Sequence, residues 1–418
     1  MKFSFKLVLA LVILFFLYLY IFKRGGIFIK IDSDNIIVDS QESDHEIIKE
    51  FAKGMKSDNY LNAINHKSEN LNKENNEYQK INYDFEKLLK YTEIEQIINN
   101  LNKSEIVAVE LIGKSVDKRN IYSLSIGKGQ KHILFNANIH AAEVANTMYI
   151  VKYMADLVNK YEANDEKIVK LLKDVKIIVI PSSNPDGYEA CLFGVNSINN
   201  KKLYIYENKD NIIFKTYKGN ANGVDINRNF PSQHGGLYYQ DNELSEVVST
   251  KPSIGYFDYY PGESLGSEPE TKALMYWFNK YLKEAYAFID LHSAGRVIYS
   301  GKPNLSDKLN SYSYNLAKIV SNITDYEAYG KEAEDVGIGN DGTATDYATE
   351  IVSNFKFSEK TGRLTANKYQ NPEVKDVNFG AITLESLEEY TFELSTIKKE
   401  YYNKNLAKVY TSLIESYK

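Results

Sequence analysis

The side chains of this chain that could do chemistry lie at the ends of apolar runs or in one long loop. The first group is Asn138-Ile139-His140-Ala141-Ala142-Glu143. A hydrophobic stretch at residues 133–137 runs straight into His140, and Glu143 follows three residues later at the head of an amphipathic segment. On a helical first turn, positions i and i+3 share a face. An imidazole nitrogen and a carboxylate at that spacing can converge on one zinc ion. H-x-x-E by itself is common by chance, so a working metal site also needs a third ligand, a base and a grip on substrate.

Other parts of the chain offer those groups. In Gly223-Val224-Asp225-Ile226-Asn227-Arg228-Asn229-Phe230, an extended backbone would turn Asp225, Asn227 and Asn229 to one side. A polar row beside Arg228 has little packing value, and a guanidinium with an amide suits a carboxylate ligand. Asp290-Leu291-His292-Ser293 ends a second apolar run. His292 is the natural third zinc ligand, with Asp290 on the same face, although a lone histidine there also reads as a satisfied core residue. Thr383-Leu384-Glu385 ends a third such run and supplies a carboxylate that packing does not explain. Ser183-Asn184-Pro185-Asp186-Gly187-Tyr188 carries two turn-forming pairs, Asn-Pro and Asp-Gly, and reads as a tight turn.

The elements that must position these residues follow from periodicity. Helices are expected over residues 84–102, 143–161, 268–284, 315–321 and 397–416, the third with Pro269 in its first turn. Strands are expected at 106–112, 120–126, 132–138, 175–180, 286–291 and 379–384, and the last three are apolar enough to be buried on both faces. Residues 181–264 read as loop-rich. Strands alternating with helices imply one α/β domain with a mixed, mostly parallel central sheet flanked by helices. In such sheets, ligands gather at the carboxyl ends of the strands.

The 418 residues suffice for one large domain, and 43% hydrophobic with 25% charged residues is ordinary for a globular chain. A net charge of -6 with no basic blocks gives no case for a nucleic-acid partner. The single cysteine, Cys191, excludes an intramolecular disulfide and a C-x-x-C zinc site. At the N-terminus, Lys2 and Lys6 precede an apolar run at residues 7–22, followed by Lys23-Arg24. The run exceeds a usual signal-peptide core of roughly 7–15 residues and falls slightly short of the ~20 that span a bilayer. Lysines at both ends can snorkel, and no small-x-small cleavage site follows. An uncleaved single-pass anchor over residues 1–30 is favoured over a cleaved signal peptide, which places the body at the cell membrane outside the cytoplasm, or secreted. Residues 31–82 are polar and read as a stalk or linker with some helix, and residues 83–418 as the catalytic domain.

Taken together in this order, the motifs resemble those of the zinc carboxypeptidase family, the carboxypeptidase A-like metallopeptidases. The resemblance covers roughly residues 83–418 and is nearest to a bacterial branch that includes γ-D-glutamyl-diamino-acid endopeptidases. It implies that His140, Glu143 and His292 hold one zinc per chain and that Glu385 is the catalytic glutamate. It implies that Asn227 and Arg228 bind a substrate carboxylate and that Asp225 orients a ligand histidine. In Tyr217-Lys218-Gly219-Asn220, Lys218 falls where animal members carry an arginine that polarises the scissile carbonyl. A lysine there matches the bacterial branch. The chain departs from the family in lacking a tyrosine shortly before Gly342-Thr343-Ala344-Thr345-Asp346-Tyr347: Ile338 and Asn340 stand there, and Tyr329 is the nearest upstream. The position near Thr345, which faces the substrate side chain in the family, carries no charge.

The function implied is a monomeric zinc peptidase acting on peptides of the cell wall next to a residue with a free carboxylate. A general metallocarboxypeptidase trimming C-terminal residues is the alternative. An inactive peptide-binding relative is disfavoured because no ligand and no base is missing.

Overall fold

The apolar runs around His140, His292 and Glu385 become neighbouring strands because their alternate side chains enter two different cores. In β4 (Lys131–Ala137), Ile133, Phe135 and Ala137 join one cluster and Leu134 the other. In β5 (Val175–Ile180), Val175, Ile177 and Val179 face the first core, and Ile178 and Ile180 the second. β6 (Ala285–His292) and β9 (Gly380–Glu385) divide in the same way. A strand buried on both faces has no solvent side, which is why its sequence is continuously apolar rather than alternating.

The structure is a computed structural model and describes residues 57–73, 77–83, 87, 89–199, 217–232, 261–301, 305, 307–330, 342–352, 378–386 and 406–417, together with the short strands 29–32, 35–38, 239–240, 243–244, 356–358 and 363–365. The apolar run at 7–22, His45, His234, Ile338, Asn340 and residues 397–405 lie outside them. No helix among the described residues is long and apolar enough to cross a membrane. The chain divides into two compact units, residues 1–49 and 50–418. In the first, Ile29–Asp32 pairs antiparallel with Asn35–Val38.

In the second unit, the strands β1 (Glu69–Asn70), β2 (Val107–Lys114), β3 (Asn120–Ile126), β7 (Val297–Ser300) and β8 (Glu327–Tyr329) complete a nine-stranded sheet. Its order is β8-β7-β9-β6-β4-β5-β3-β2-β1. The four central strands β9, β6, β4 and β5 run parallel. β7 joins β9 antiparallel, and β3, β2 and β1 add an antiparallel flank. The sheet is therefore mixed, but the expectation of a mostly parallel one is corrected: four of its eight pairings are antiparallel. Three of the four parallel pairings lie in the doubly buried centre, and the fourth joins the edge strands β7 and β8.

On one face lie α2 (Tyr91–Leu101), α3 (Val144–Glu162), α4 (Glu166–Asp174) and α9 (Ala407–Glu415), whose apolar residues share one core. The other face carries α1 (Ser57–Ile64), α6 (Pro269–Tyr281) and α8 (Ala344–Val352), with Trp277 and Phe278 fully buried between α6 and the sheet. α7 (Asp307–Thr324) contributes to both cores.

Residues 57–73 and 77–82 belong to this body, not to a stalk. Ala63 of α1 is fully buried, β1 pairs with β2, and Leu71, Tyr78, Ile81 and Tyr83 pack on the first core. Glu110 on β2 receives Ser68, Tyr276 at 2.8 Å, Tyr281 at 2.8 Å and Lys280 at 2.6 Å, so one buried carboxylate clamps this segment to α6. The segment looked polar because its few anchors are isolated tyrosines and leucines without a helical or strand period. Likewise, the turn expected after Ser183 opens a helix, α5 (Pro185–Phe193), with Pro185 at its first position and Asn184 accepting from Gly187 N at 2.9 Å. The Asn-Pro signal marked a helix start as much as a turn.

Candidate metal centre

His140 and Glu143 do not lie on a helical turn. They occupy the tight turn between β4 and α3, with Glu143 N donating to His140 O at 3.2 Å and Glu143 at the N-cap of α3. Asn138 starts the turn at φ 56°, and its amide donates to the carbonyls of His140 and Ala141 at 2.9 and 3.1 Å. A β-carbon on Gly187 would come within 2.5 Å of Ala141 Cβ, so glycine lets α5 close against this turn. The chain goes from β4 to β5 on one side, while β6 pairs on the other, and the turn sits at that switch point.

The other site residues arrive by sheet register. His292 ends β6 and stands directly beside Glu385, the last residue of β9. Neighbours in register on parallel strands point to the same face, as do residues two apart on one strand. Asp290, His292, Thr383 and Glu385 therefore face the same side.

Three side chains, His140, Glu143 and His292, bring one ligand atom each within 4.8 Å of one another, and all are buried. Glu143 Oε1 lies 2.8 Å from His140 Nδ1, and Glu143 Oε2 lies 3.1 Å from His292 Nδ1. The two Nδ1 atoms face each other at 3.1 Å. On the far sides of the rings, Asp225 Oδ1 lies 3.4 Å from His140 Nε2 and Asp290 Oδ2 lies 3.0 Å from His292 Nε2. A carboxylate behind each Nε2 favours its proton there, which leaves both Nδ1 lone pairs aimed at one point. This geometry fits a divalent cation: two imidazoles and a carboxylate converge, and Glu143 Oε2 has no hydrogen bond of its own. Two histidines and one carboxylate are a zinc-type donor set with a position open for water.

The electrostatics follow from these contacts. Burial pushes the Glu143 carboxyl up, but His140 and His292 outweigh it and hold it below the usual range. Burial likewise opposes ionisation of Asp225, and His140 and Arg228 overcome it. Burial disfavours charged imidazoles, yet Glu143 with Asp225 raises His140, and Asp290 with Glu143 raises His292 further. Glu385 goes the other way. Burial, with Glu143 adding to it, lifts its carboxyl to about 7 against His292, His140 and Lys218.

Asp225, Asn227 and Arg228 come to the centre in a different form from the extended row expected. Residues Ile226–Arg228 form a single 3-10 turn, and Asp225 caps it by accepting from Asn227 N at 2.9 Å. Asn229 consequently leaves the row: its amide ties Pro261 O, Ser264 O and Ser267 Oγ at 2.6, 2.9 and 3.2 Å, a loop-holding task. Asn227 Oδ1 accepts from Ala344 N at 2.9 Å and so caps α8, while Arg228 Nη1 donates to Asn227 O at 2.7 Å. Lys218 is partly buried and close enough to lower both Asp225 and Glu385. Tyr329 is not brought to the centre. Its hydroxyl donates to Glu327 at 2.7 Å, and its ring stacks on Tyr299 on the outer strands β8 and β7.

Asp290 is the functional residue whose part the sequence left unassigned. Its signal was present, a carboxylate two residues before His292 on one strand face, but only the tertiary structure shows Asn136 Nδ2 at 2.8 Å fixing its other oxygen. Behind His292, Ser386 N and Oγ donate to its carbonyl at 2.8 and 3.1 Å, and Ser386 Oγ also reaches Asn146. Those serine and asparagine contacts had no sequence signature. His66 packs edge-on to Tyr276, and His132 lies 3.4 Å from Glu284, so both are apart from the centre.

A zinc carboxypeptidase family model matches residues 94–409. The chain belongs to the zinc carboxypeptidase family. It is 28% identical over 184 residues to the human carboxypeptidase N catalytic chain, covering 42% of this chain and 36% of that one. It is 29% identical over 224 residues to γ-D-glutamyl-L-diamino acid endopeptidase 1 of Lysinibacillus sphaericus, covering 52% of each. The chain thus spans about a third to a half of the length of these relatives. The crystal structure of carboxypeptidase A from Helicoverpa armigera superposes with a TM-score of 0.52 at 18% identity, over 91% of this chain and 83% of that one, which supports the fold.

Proposed function

We propose that this family member is a zinc-dependent peptidase that hydrolyses an amide bond next to a residue with a free carboxylate, in cell-wall peptides. The observation that carries the reading is the convergence of His140, Glu143 and His292 beside Glu385 at the carboxyl ends of β4, β6 and β9. Bound there, zinc would supply a Lewis acid and a water acidified toward ~7. Glu385, raised to about 7 and partly open to solvent, takes the proton of the attacking water and returns it to the leaving amine. The Lys218 ammonium donates to the oxyanion that develops on the scissile carbonyl. Arg228 with Asn227 grips the substrate carboxylate, and Asp225 and Asp290 hold the two imidazoles in one tautomer.

Two things support the cell-wall substrate: Lys218 at the carbonyl-polarising position, and similarity to the Lysinibacillus endopeptidase. The apolar run at 7–22, flanked by Lys2, Lys6, Lys23 and Arg24, supports tethering to the membrane. A general carboxypeptidase is the second reading, favoured by similarity to carboxypeptidase N. The full chain with zinc is incubated with muropeptides and with peptides of varied C-terminus, and products are identified by mass spectrometry. Cleavage of muropeptides is expected. Products confined to simple peptide C-termini would favour the second reading, and no turnover of either would reject both.

A further inference from the structure

A second cluster of buried carboxyls lies behind the loop that carries Lys218. At the start of α6, Glu268 is 5% exposed and Glu270 fully buried. Asn220 Nδ2 donates to both, at 2.8 Å to Glu268 Oε2 and 3.0 Å to Glu270 Oε2. Val116 N donates to Glu270 Oε1 at 3.0 Å. Asn222 Nδ2 and Ser267 Oγ complete Glu268 at 2.9 and 2.6 Å.

Asn220 also closes its own loop. Its Oδ1 accepts from Asn222 N and Val224 N at 2.9 and 3.1 Å, its backbone N donates to Val224 O at 2.8 Å, and its carbonyl accepts from the Tyr217 hydroxyl. The same loop braces the turn of the metal centre: Ala142 N donates to Tyr217 O at 2.7 Å, Ala141 N to Lys218 O at 3.3 Å, and Asn184 Nδ2 to Gly219 O at 3.0 Å. A continuous hydrogen-bonded path therefore runs from Glu270 through Asn220 to the His140–Glu143 turn.

We propose that Glu270 is a positioning residue that must stay protonated to keep the loop of residues 217–224, and with it Lys218 and the His140–Glu143 turn, in place. This rests on the peptidase reading for what Lys218 does, but not for how the loop is held. Two carboxyls sharing one amide donor repel when both are charged. Asp186 adds to this from α5, although Arg119 at 2.6 Å, Ser115 and Asp117 N satisfy it, with the Asp117 carboxylate beside that arginine. Lys272 on α6 interacts with both Glu268 and Glu270 and is itself lowered by burial, while Tyr217 and the Cys191 thiol on α5 are held neutral by burial. Burial, then Asp186 and Glu268, push Glu270 up to about 8. Above that pH, Glu270 carries a charge inside the brace.

Amide hydrogen exchange at Ala141 and Ala142 tests this without substrate or metal, across pH 6 to about 9.5 and corrected for intrinsic rates. Protection at both amides should drop roughly tenfold or more as the pH passes about 8, and Glu270→Gln should keep it. In activity, the alkaline fall of kcat/KM should move up by about one pH unit or more in Glu270→Gln, with kcat carrying the change. An exchange profile identical in wild type and Glu270→Gln overturns the proposal. Should that variant not fold, wild-type protection must be lost together with a protonated-carboxyl infrared band, and loss of one without the other also overturns it. Absence of turnover in every form would reject the peptidase reading while leaving the exchange result to stand.

Discussion

Two buried carboxyl clusters sit a loop apart and hold their charge in opposite ways. Around the metal centre, Glu143, Asp225 and Asp290 each face an imidazole within 3.4 Å, and Glu143 and Asp225 are held below the usual carboxylate range despite burial. Around Asn220, Glu268 and Glu270 meet amides, and Glu270 is pushed up to about 8. Burial depth is the same in both. The partners differ: imidazoles that can share a cation keep carboxylates charged, whereas amide donors only soften the cost of burying them. Function follows the same division, with charge available for metal chemistry in one cluster and a neutral brace in the other.

The largest expected effect breaks the first cluster at its base. Glu385→Gln should lower kcat by about 10²–10⁴-fold while retaining stoichiometric zinc by elemental analysis, and normal turnover in that variant would sink the assignment. Next, Lys218→Met should lower kcat/KM by about 10²–10³-fold, the usual worth of one oxyanion donor, and steady-state kinetics showing a change in KM alone would move Lys218 from chemistry to binding. Asp290→Asn keeps shape but removes the charge behind His292, so competition with a chromogenic chelator should show zinc held about 10–100-fold more weakly. Unchanged affinity would mean that Asp290 is only a packing partner.

The smallest effect sharpens the second cluster. Because the folded state raises the Glu270 carboxyl from 4.5 to about 8, it holds an extra proton between those values. Its contribution to stability is then full below about 4.5 and is lost as pH rises toward about 8. Urea midpoints measured from pH 5 to about 8 should decline for the wild type and stay flatter for Glu270→Gln. Equal slopes would show that Glu270 is already ionised in the fold.

The opposite outcome of two sequence expectations has one cause. The strand ending at Glu385 was readable because burial on both faces forces a continuous apolar run, and the centre was readable because His140, His292 and Glu385 interrupt such runs. Residues 57–73 and 77–82 read as stalk because their attachment rests on scattered contacts, Ala63 against α6 and Ser68 to Glu110, that have no local period. Asn229 was misplaced in the polar row because a 3-10 turn, not a strand, follows Asp225.

The chain's own sequence determined the donor types, their order and the doubly buried strands that end in them, since those depend on side-chain chemistry and on period. Only the tertiary structure decided that Asp290 backs His292, that Asn220 ties Glu270 to the metal-site turn, and that half of the sheet's pairings are antiparallel. The Asn220 tie to Glu270 spans 50 positions, and the Asn136 contact that fixes Asp290 behind His292 spans 154. Such contacts form only once loops have closed and strands have chosen neighbours, and that choice leaves no imprint on any single stretch of sequence.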